Sequence, residues 1–481
     1  MATPEHSLDP SDWATLRALG HRMLDDMLDH VERVRERPVW VPMPETAKAA
    51  LRRPLPRTGQ GEAGAYADFS SLVLPYGLGN LHPRFWGWVM GTGTPFAMLA
   101  DMLASGLNAN VWDGEHAAPY VEAQVLDWCK EMLGFPASAS GLLVTGGSMA
   151  NLIGLAVARQ ARGGTARREA QRIVYCSDQT HYSVDKAVAL LGLGPDALRK
   201  VPTDAAFRVD TTALASAVDA DRRAGHVPIC VVGNAGTVNT GAVDDLDALA
   251  SVCAREGLWL HIDGAFGALA ALIPELRPLL RGMERADSLA FDLHKWMYMP
   301  YDVGCILVRD AAAHRTAFSP DASYLASLER GIASGAHPFR EFGPELSRQF
   351  RALKVWLSLS AYGVDAFARL IAQNLTQAKH LAALVEAHAE LELLAPVPLN
   401  VVCFRYLPSG ASQVGIDAVN REILMRLQEE GIAAPSHTVV RGAFAIRVAI
   451  SNHRSRSSDF DVLVDAVARI GRLVSSRGRD L

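Results

Sequence analysis

The sequence predicts an α/β fold built on a mostly parallel β-sheet, followed by a small C-terminal α+β domain. From about residue 95 to 310, short and nearly continuous apolar runs alternate with helical segments, as in sheets covered by helices on both faces. Polar motifs directly follow several of these runs, where such sheets bind ligands. The alternation then stops, and the last stretch of roughly 90 residues has the size of a small separate domain.

Composition excludes several classes of protein. The chain has 481 residues, of which 49% are apolar and 21% charged, and its formal net charge is −5. Without a lysine- or arginine-rich run, neither nucleic acid nor a membrane surface is an expected partner. No apolar run reaches membrane-spanning length and no signal-peptide pattern is evident, which predicts a cytoplasmic protein. The six cysteines form no CxxC pair, so we expect buried, reduced thiols and no metal site.

The N-terminal region predicts an arm with little core of its own. Leucine and methionine recur at helical spacing between residues 10 and 36, which predicts an amphipathic helix. The proline-rich stretch that follows predicts an extended segment. Such elements need a partner surface, in this chain or in a second copy. We therefore expect a helical arm at 1–85, a large α/β domain at 86–375 and a small α+β domain at 376–481.

The central region predicts six strands with helices between them. The predicted strands are Leu142–Thr145, Arg172–Ser177, Pro228–Gly233, Leu258–Asp263, Ser288–Phe291 and Gly304–Val308. The predicted helices lie at about 148–160, 181–191, 211–225 and 244–256. Glycines and prolines with few apolar anchors predict a mobile loop at 320–345. The remaining predictions are a long helix at about 346–362, strands Val397–Phe404 and Phe444–Ala449, and helices near 416–430 and 458–475.

Two motifs at predicted strand ends can bind a phosphorylated cofactor. Thr145–Asn151 (Thr-Gly-Gly-Ser-Met-Ala-Asn) opens a helix, so its glycines, its backbone N–H groups and the Ser148 hydroxyl can cradle a phosphate. Alone, this motif could equally be a glycine turn into a capped helix. His294-Lys295 also follows a strand, with His294 placed to contact the phosphate. Partial burial and a nearby cationic group would depress the pKa of Lys295, as Schiff-base formation requires.

Asp263 and His181 also follow predicted strands. Asp263 could cap a helix or bind a metal, but in an enzyme that uses pyridoxal 5′-phosphate (PLP) it would keep the ring nitrogen protonated. A lone histidine such as His181 is more often structural, yet here it could stack on the ring and transfer a proton. Each signal is weak or moderate alone. Their order along the chain predicts a PLP enzyme, with Lys295 as the Schiff-base lysine.

On these motifs, the chain resembles the PLP-dependent group II amino-acid decarboxylases, which include aromatic-L-amino-acid, histidine and glutamate decarboxylases. The resemblance runs from His82 to about Leu370 and continues more faintly to the C-terminus. The most telling stretches are His82–Trp86, Met98–Leu103, Gly146–Asn151, Ser177–His181, His294–Trp296 and Phe350–Trp356. It implies a fold-type-I, PLP-dependent transferase-like structure. It also implies a homodimer with active sites at the interface, in which the N-terminal helices wrap the partner.

The resemblance also implies roles around the cofactor ring. Lys295 forms the internal aldimine, Asp263 holds the ring nitrogen, His181 stacks over the ring and Ala265 lies beneath it. The implied reaction is decarboxylation of an L-amino acid to its amine and CO₂. The quinonoid formed on the way must then be protonated at Cα.

Around the phosphate and the substrate, the resemblance assigns a second set of residues. Gly147, Ser148 and His294 would bind the phosphate. Thr237 matches a threonine that lies near both cofactor and substrate in the family.

The chain departs from the family pattern at the proton donor. Aromatic decarboxylases carry a tyrosine on a mobile loop, whereas no tyrosine lies between Tyr324 and Tyr362 in this chain. Alignment places the tyrosine position at His337 to Phe339. His337, His181 or a water could donate the proton and keep simple decarboxylation. Alternatively, the unprotonated intermediate could react with O₂ and yield an aldehyde, ammonia and peroxide.

A second departure concerns the substrate pocket. Asn108 and Asn110 fall where aromatic decarboxylases have apolar side chains, while Trp88 and Trp112 nearby keep an aromatic character. The loop residue Phe339 is a further candidate for the pocket. Buried amides would favour a substrate with a polar side-chain group. The alternative is that both asparagines only satisfy loop backbone. Aminotransfer, which usually needs an arginine for the α-carboxylate, and a non-catalytic PLP-binding scaffold remain competing functions.

Overall fold

The structure, a computed structural model, describes residues 6–163, 170–319, 328–408, 410 and 412–477. The chain begins with helices α1 (Trp13–Glu32), α2 (Glu45–Ala50) and α3 (Gly61–Asp68). Asp12 caps α1 by accepting hydrogen bonds from the first turn, yet α1 buries none of its residues. The proline-rich stretch is not extended throughout, because α2 carries three alanines, which favour a helix, and no proline.

The larger of the two sheets has seven strands. In chain order these are β2 (Ser140–Val144), β3 (Arg172–Ser177), β4 (Leu198–Val201), β5 (Val227–Asn234), β6 (Trp259–Asp263), β7 (Ser288–Asp292) and β8 (Gly304–Val308), while the two-residue strand β1 (Phe85–Trp86) belongs to the smaller sheet. The spatial order is β2-β8-β7-β6-β5-β3-β4. Only β8 runs against its neighbours, which confirms the prediction of a mostly parallel sheet.

Helices cover this sheet because its strands are apolar on both faces. The helices of this region are α4 (Pro95–Leu107), α5 (Ala117–Leu133), α6 (Gly147–Gly163), α7 (Ser183–Leu190), α8 (Thr211–Arg223), α9 (Leu246–Glu256), the short α10 (Leu293–Trp296) and α11 (Ala311–Phe318). The pattern predicted α6 to α9, but α4, α5 and strand β4 were missed. Between α9 and β7, residues 267–285 form three 3₁₀ segments.

Two long helices connect the sheets. They are α12 (Ala352–Tyr362) and α13 (Val364–Ala387). The predicted helix at 346–362 therefore begins later, because Arg348 is held away from helical geometry by a buried ion pair with Glu122 and a backbone bond from its N–H to Asn110 Oδ1. Within the described residues, no single helix has the length and apolar composition to cross a membrane, although the bent α12–α13 pair meets both criteria jointly.

The smaller sheet has five strands in the order β1-β11-β12-β10-β9. Its C-terminal elements are β9 (Leu391–Leu393), β10 (Val401–Tyr406), α14 (Gln413–Glu429), β11 (Ala434–Val440), β12 (Ala443–Ala449) and α15 (Ser457–Arg477). Strand β1 pairs with β11, so a segment from early in the chain completes this sheet, which the sequence pattern did not predict. All six cysteines are buried and unpaired, as predicted.

Part of the predicted loop at 320–345 lies outside the described residues, namely 320–327. From residue 328 onward, regular structure in the loop is limited to a 3₁₀ turn at Phe339–Glu341. The described part packs on the segment before α5, where the Glu115 N–H donates to Ile332 O and Gly335 fits against Gly114. A Cβ at Gly335 would come within 2.5 Å of Gly114 backbone atoms.

Candidate active site

Four predicted motifs meet at one cavity of about 540 Å³. The cavity lies at the carboxyl ends of the parallel strands, because strands that run in one direction bring these ends to one edge of the sheet. The predicted residues that line it are Trp88, Gly147, Ser148, His181, Asp263, Ala265, His294 and Lys295.

The glycine cradle at the start of α6 is closed to side chains. A Cβ at Gly147 would lie 2.9 Å from Asp292 Oδ2, and one at Gly146 would lie 3.2 Å from His294 Cε1. The lack of a Cβ lets Asp292 and His294 approach the start of α6, where the Gly147 and Ser148 N–H groups precede the first intrahelical bonds and can face a phosphate. The residues present fit the phosphate group of PLP.

Lys295 is paired with a carboxylate that sequence reasoning did not include. Its Nζ lies 2.8 Å from Asp292 Oδ2, and its side chain is 21% exposed. Burial is the largest single influence and acts to lower the pKa of Lys295, but the Asp292 carboxylate, with smaller contributions from Asp263 and Tyr301, raises it above its ordinary value. The expected depression of the lysine pKa is therefore wrong for the structure as it stands, because the nearest charge is an anion.

His294 packs between the cradle and the loop after α10. Its Nδ1 lies 3.0 Å from Val303 O, its Nε2 lies 3.8 Å from Asp292 Oδ2, and its ring packs against Tyr301 at 4.5 Å. Burial lowers the pKa of His294. Asp292 Oδ1 is buried and has no hydrogen-bond partner among the described residues. A donor brought by a ligand, such as a protonated phosphate oxygen, would satisfy it.

Asp263 and His181 also line the cavity, Asp263 at the end of β6 and His181 after β3. Asp263 Oδ1 accepts a hydrogen bond from the Ala265 N–H at 3.1 Å, and Oδ2 accepts one from Asn151 Nδ2 at 2.9 Å. His181 Nδ1 lies 2.8 Å from Ser183 Oγ. Burial lowers the pKa of His181 although Asp263 acts to raise it, so the imidazole is neutral near pH 7.

Other predicted residues lie apart from this cavity. Thr237 is buried in its own loop, where its Oγ1 accepts from the Ala242 N–H at 3.1 Å and lies 3.1 Å from Thr240 Oγ1. His337 packs edge-on against Tyr120 at 5.1 Å and parallel to Phe339 at 6.0 Å. None of these side chains lines the cavity of its own chain.

The two asparagines proposed for the substrate pocket are exposed in this chain rather than buried. Asn108 adopts a left-handed conformation (φ 47°) and ends α4. Asn110 Oδ1 accepts from the Arg348 N–H at 2.8 Å, and its Nδ2 donates to Leu346 O at 3.2 Å. The contacts of Asn110 match the alternative in which it satisfies loop backbone, and neither residue lines the cavity.

Sequence reasoning missed several residues of the site. Asn151 was quoted only as part of the cradle motif, yet it lies four residues after Gly147 and therefore on the same helix face. Tyr182 and Tyr301 also line the cavity, with exposed fractions of 60% and 46%. The position of Tyr182 directly after His181 was the available signal for it. Nothing in the local pattern marked Tyr301.

The known proteins that resemble this chain agree with the site described above. The model of the pyridoxal-dependent decarboxylase conserved domain matches residues 44–407. An aromatic-L-amino-acid decarboxylase of Bacillus atrophaeus is 36% identical over 464 residues, which cover 96% of each chain. A phenylacetaldehyde synthase of Petunia hybrida is 29% identical and covers 92% of this chain and 91% of its own.

Among solved structures, Oryza sativa TDC with PLP and tryptamine superposes with a TM-score of 0.91 at 28% identity, covering 98% of this chain and 100% of that one. The fold-type-I prediction is thereby confirmed. From its domain match and these relatives, the chain belongs to the pyridoxal-dependent decarboxylase family, and its cofactor is pyridoxal 5′-phosphate.

Proposed function

We propose that this chain decarboxylates an aromatic L-amino acid to the corresponding amine and CO₂. The observation that carries the proposal is the convergence of Lys295, Asp263 and His181 on one cavity whose described lining contains no arginine. An aminotransferase usually needs an arginine to hold the α-carboxylate, whereas loss of the carboxylate is easier in a less charged site.

Arg447, a buried arginine beside the cavity, is otherwise engaged. Arg447 donates to Trp88 O at 2.9 Å, to Asn239 O at 3.1 Å and to Val238 O. Its side chain therefore braces the backbone at the rim of the cavity. This arrangement supports decarboxylation over aminotransfer.

In this proposal, Lys295 Nζ would hold the cofactor covalently, while Gly147, Ser148 and His294 would hold its phosphate and Asp263 its ring nitrogen. When bound, PLP supplies an electron-accepting ring that takes up the electron pair left by the departing carboxylate. Asp263 is suited to its role because its two hydrogen-bond donors are neutral and leave its negative charge available to the ring N–H.

His181 is proposed to return the proton to Cα. Its Nδ1 accepts from the Ser183 N–H at 3.3 Å, so the neutral ring carries its proton on Nε2. The bond from Cα to the carboxylate breaks with release of CO₂. Nε2 gives its proton to Cα while Nδ1 takes one from the Ser183 hydroxyl, which regains a proton from solvent, so the ring stays neutral throughout. This assignment needs no tyrosine from the loop.

Aromatic side chains line the mouth of the cavity and support the choice of substrate. Trp88, Tyr182 and Tyr301 are 58%, 60% and 46% exposed, so their rings are free to contact a bound side chain. Phe266 adds a buried apolar surface. Aromatic rings pack favourably against one another, and this lining therefore favours an aromatic amino acid over an acidic one.

We also propose a homodimer with the active sites at its interface. Helix α1 has apolar residues at helical spacing but buries none of them, and Trp13 and Met23 are 59% and 43% exposed. The exposed aromatic mouth of the cavity supports its placement at the same interface. Sedimentation should give twice the 51.8 kDa mass of the chain, and a monomer at working concentrations contradicts this proposal.

The test is a panel of L-amino acids given to the holoenzyme, with CO₂, amine, aldehyde and peroxide measured separately. We expect one amine for each CO₂ from aromatic substrates, without peroxide. Peroxide equal to CO₂ would establish the oxidative alternative, which the missing loop tyrosine and the similarity to a phenylacetaldehyde synthase favour. Turnover that depends on an α-keto acid would establish aminotransfer, and turnover of acidic amino acids alone would overturn the substrate class.

A further inference from the structure

A chain of buried hydrogen bonds leads from the start of strand β6 to Asp263 at its end. Trp259 Nε1 donates to Ser288 Oγ at 2.8 Å, and Ser288 Oγ lies 2.8 Å from His261 Nδ1. His261 Nε2 lies 2.9 Å from Asn151 Oδ1, and Asn151 Nδ2 donates to Asp263 Oδ2 at 2.9 Å. No more than 5% of any of these residues is exposed.

The backbone explains why these side chains meet. Trp259, His261 and Asp263 are alternate residues of β6, so they point to one face of the sheet. Ser288 is the register partner of His261 on the neighbouring strand β7. Asn151 lies on α6, which packs over β6 and β7. Three neighbouring elements, β6, β7 and α6, therefore each supply part of this series of hydrogen bonds.

The groups at the two ends of this series of hydrogen bonds determine which atom donates and which accepts at each step. The indole N–H of Trp259 only donates, so the Ser288 hydroxyl hydrogen is left for His261 Nδ1. His261 then carries its proton on Nε2 and donates to Asn151 Oδ1. The amide nitrogen of Asn151 accordingly faces the Asp263 carboxylate, which only accepts.

His261 is suited to this position because it is neutral and closely packed. Complete burial lowers its pKa to about 4. A Cβ at Gly154 on α6 would lie 2.5 Å from His261 Cε1 and 2.6 Å from Nδ1, so only glycine at this helical position leaves room for the imidazole. The helix face thus holds the ring against Asn151.

A second branch leads from Asn151 to His181. Asn151 Nδ2 also donates to Ser183 Oγ at 3.0 Å, and Ser183 Oγ lies 2.8 Å from His181 Nδ1. Because Ser183 Oγ accepts from the amide, its own hydrogen points to His181 Nδ1. The Ser183 backbone N–H, which only donates, contacts the same Nδ1 at 3.3 Å. Two independent donors therefore agree that His181 Nδ1 is an acceptor.

We infer that Asn151 is a positioning residue that serves both sides of the cofactor ring, and that His261 fixes its orientation. One amide hydrogen holds Asp263 toward the ring nitrogen, and the other, through Ser183, keeps the His181 proton on Nε2. The inference rests on the proposed function, since Asp263 and His181 act on a ring only when PLP is bound. It extends the active site to His261, Ser288 and Trp259.

The first test compares Asn151→Leu, His261→Leu and His261→Gln. Asn151→Leu keeps the approximate size but removes both amide N–H donors, and His261→Leu leaves Asn151 without its orienting donor. For both, we expect PLP affinity of the apoprotein to fall about 10- to 100-fold, by fluorescence titration. The nitrogen-15 shift of ring-labelled PLP should move toward the unprotonated form. His261→Gln keeps a donor and an acceptor, so it should restore most of both readouts.

The matched control is His314→Leu. His314 is also fully buried, its pKa is also lowered to about 4, and its Nδ1 also contacts a serine hydroxyl, Ser140 Oγ at 2.9 Å. It lies on α11, away from the cavity. Its loss should lower the melting temperature without changing PLP affinity or the ring-nitrogen shift. If His261→Leu behaves in the same way as this control, the inference is overturned.

The second branch is tested by Ser183→Ala. This change removes the hydroxyl bridge but keeps the contact between Asn151 and Asp263. We expect kcat to fall about 10-fold while the ring-nitrogen shift stays that of the wild type. In the apoprotein, nitrogen-15 histidine spectra should show a larger fraction of the Nδ1–H tautomer of His181, because only the longer bond from the residue 183 backbone N–H then still favours Nε2–H. A single Nε2–H tautomer with unchanged kcat would contradict this branch.

The two levels of proposal can fail separately. If the wild-type enzyme releases no CO₂ from any amino acid, the proposed function fails. The positioning role of Asn151 is then still supported when Asn151→Leu alters PLP affinity and the ring-nitrogen shift. Conversely, normal decarboxylation with unaltered PLP affinity and ring-nitrogen shift in Asn151→Leu overturns the positioning role alone.

Discussion

The Lys295 side and the Asp263 side of the cavity are built in different ways. On the Lys295 side the groups are charged and incompletely bonded, because Lys295 pairs with Asp292 while Asp292 Oδ1 lacks a partner among the described residues. On the Asp263 side the carboxylate accepts two hydrogen bonds from neutral groups, and the donors behind it are themselves bonded.

This difference separates the part of the site that must change from the part that is already in place. Lys295 Nζ would hold PLP covalently, so its present contact with Asp292 would have to rearrange when the cofactor binds. The unpaired acceptor then needs the donors that a ligand brings. The Asp263 side gains one partner and loses none. A saturated buried network of this kind keeps its geometry before and after binding.

The largest expected effect is that of Lys295→Ala, which removes the amine that would hold the cofactor covalently on the Lys295 side. Without Nζ the cofactor has no covalent link, so the visible absorbance of the bound cofactor should disappear. Release of CO₂ should fall by roughly 10³-fold or more. Absorbance and CO₂ are measured on the same preparation after addition of PLP. A persistent visible band would show that another residue holds the cofactor.

The second-largest effect is expected for Asp263→Asn, which tests the Asp263 side of the cavity. The amide is uncharged and cannot stabilise a protonated ring nitrogen, so kcat should fall roughly 10²- to 10³-fold while the covalent attachment remains. Steady-state kinetics and the visible band check this. Asp287→Asn is the control, because Asp287 accepts from the Leu260 N–H at 2.8 Å near the opposite end of the same strands. Equal losses in both variants would make the effect of Asp263 one of general stability.

A smaller and opposite effect is expected for Asp292→Asn. Asp292 raises the pKa of Lys295, so its removal lowers that pKa and increases the unprotonated fraction of Nζ at any pH below it. Attachment of added PLP at neutral pH should become several-fold faster, since each unit of pKa changes that fraction about tenfold. The midpoint of the rate against pH should move to lower pH. A midpoint that stays in place or rises contradicts the assigned role of the ion pair.

The smallest expected effect is that of His337→Phe, outside both sides of the cavity. His337 packs on Tyr120 and Phe339 of its own chain, and His181 is the proposed donor. The ratio of amine to CO₂ should stay at one, with kcat within about twofold of the wild type. A tenfold loss of amine, or the appearance of peroxide, would assign the proton-donor role to His337.

The sequence predicted the parts of this molecule that follow from local pattern. Strand β3 was placed at its exact bounds, and the cradle, His181, Asp263 and Lys295 were expected at one edge, because parallel strands bring their carboxyl ends together. The proposed domain boundaries remain a prediction. Strand β1 shows the limit of such reasoning, since its pairing with β11 joins residues about 350 positions apart.

The parts that were missed depend on tertiary neighbours. The pairing of Lys295 with Asp292 was missed although only three positions separate them, because the spacing does not say which way the lysine turns. The contacts of His261 with Ser288 and Asn151 require the order of β6, β7 and α6 in space. For Asn110, the sequence left open a role in the substrate pocket or in satisfying loop backbone, and the backbone partners lie more than 200 residues away in sequence.

The burial of every cysteine has a practical consequence for experiments on this protein. Burial raises the pKa of Cys403 to about 12, and its Sγ lies 3.2 Å from Asn239 O, where the smaller sheet meets the larger. Cys230 lies deep within the larger sheet. A thiol reagent can therefore react only during transient opening, and its labelling rate at each position measures the free energy of that opening. The labelling rates of the native cysteines would thus show which of the two sheets opens first.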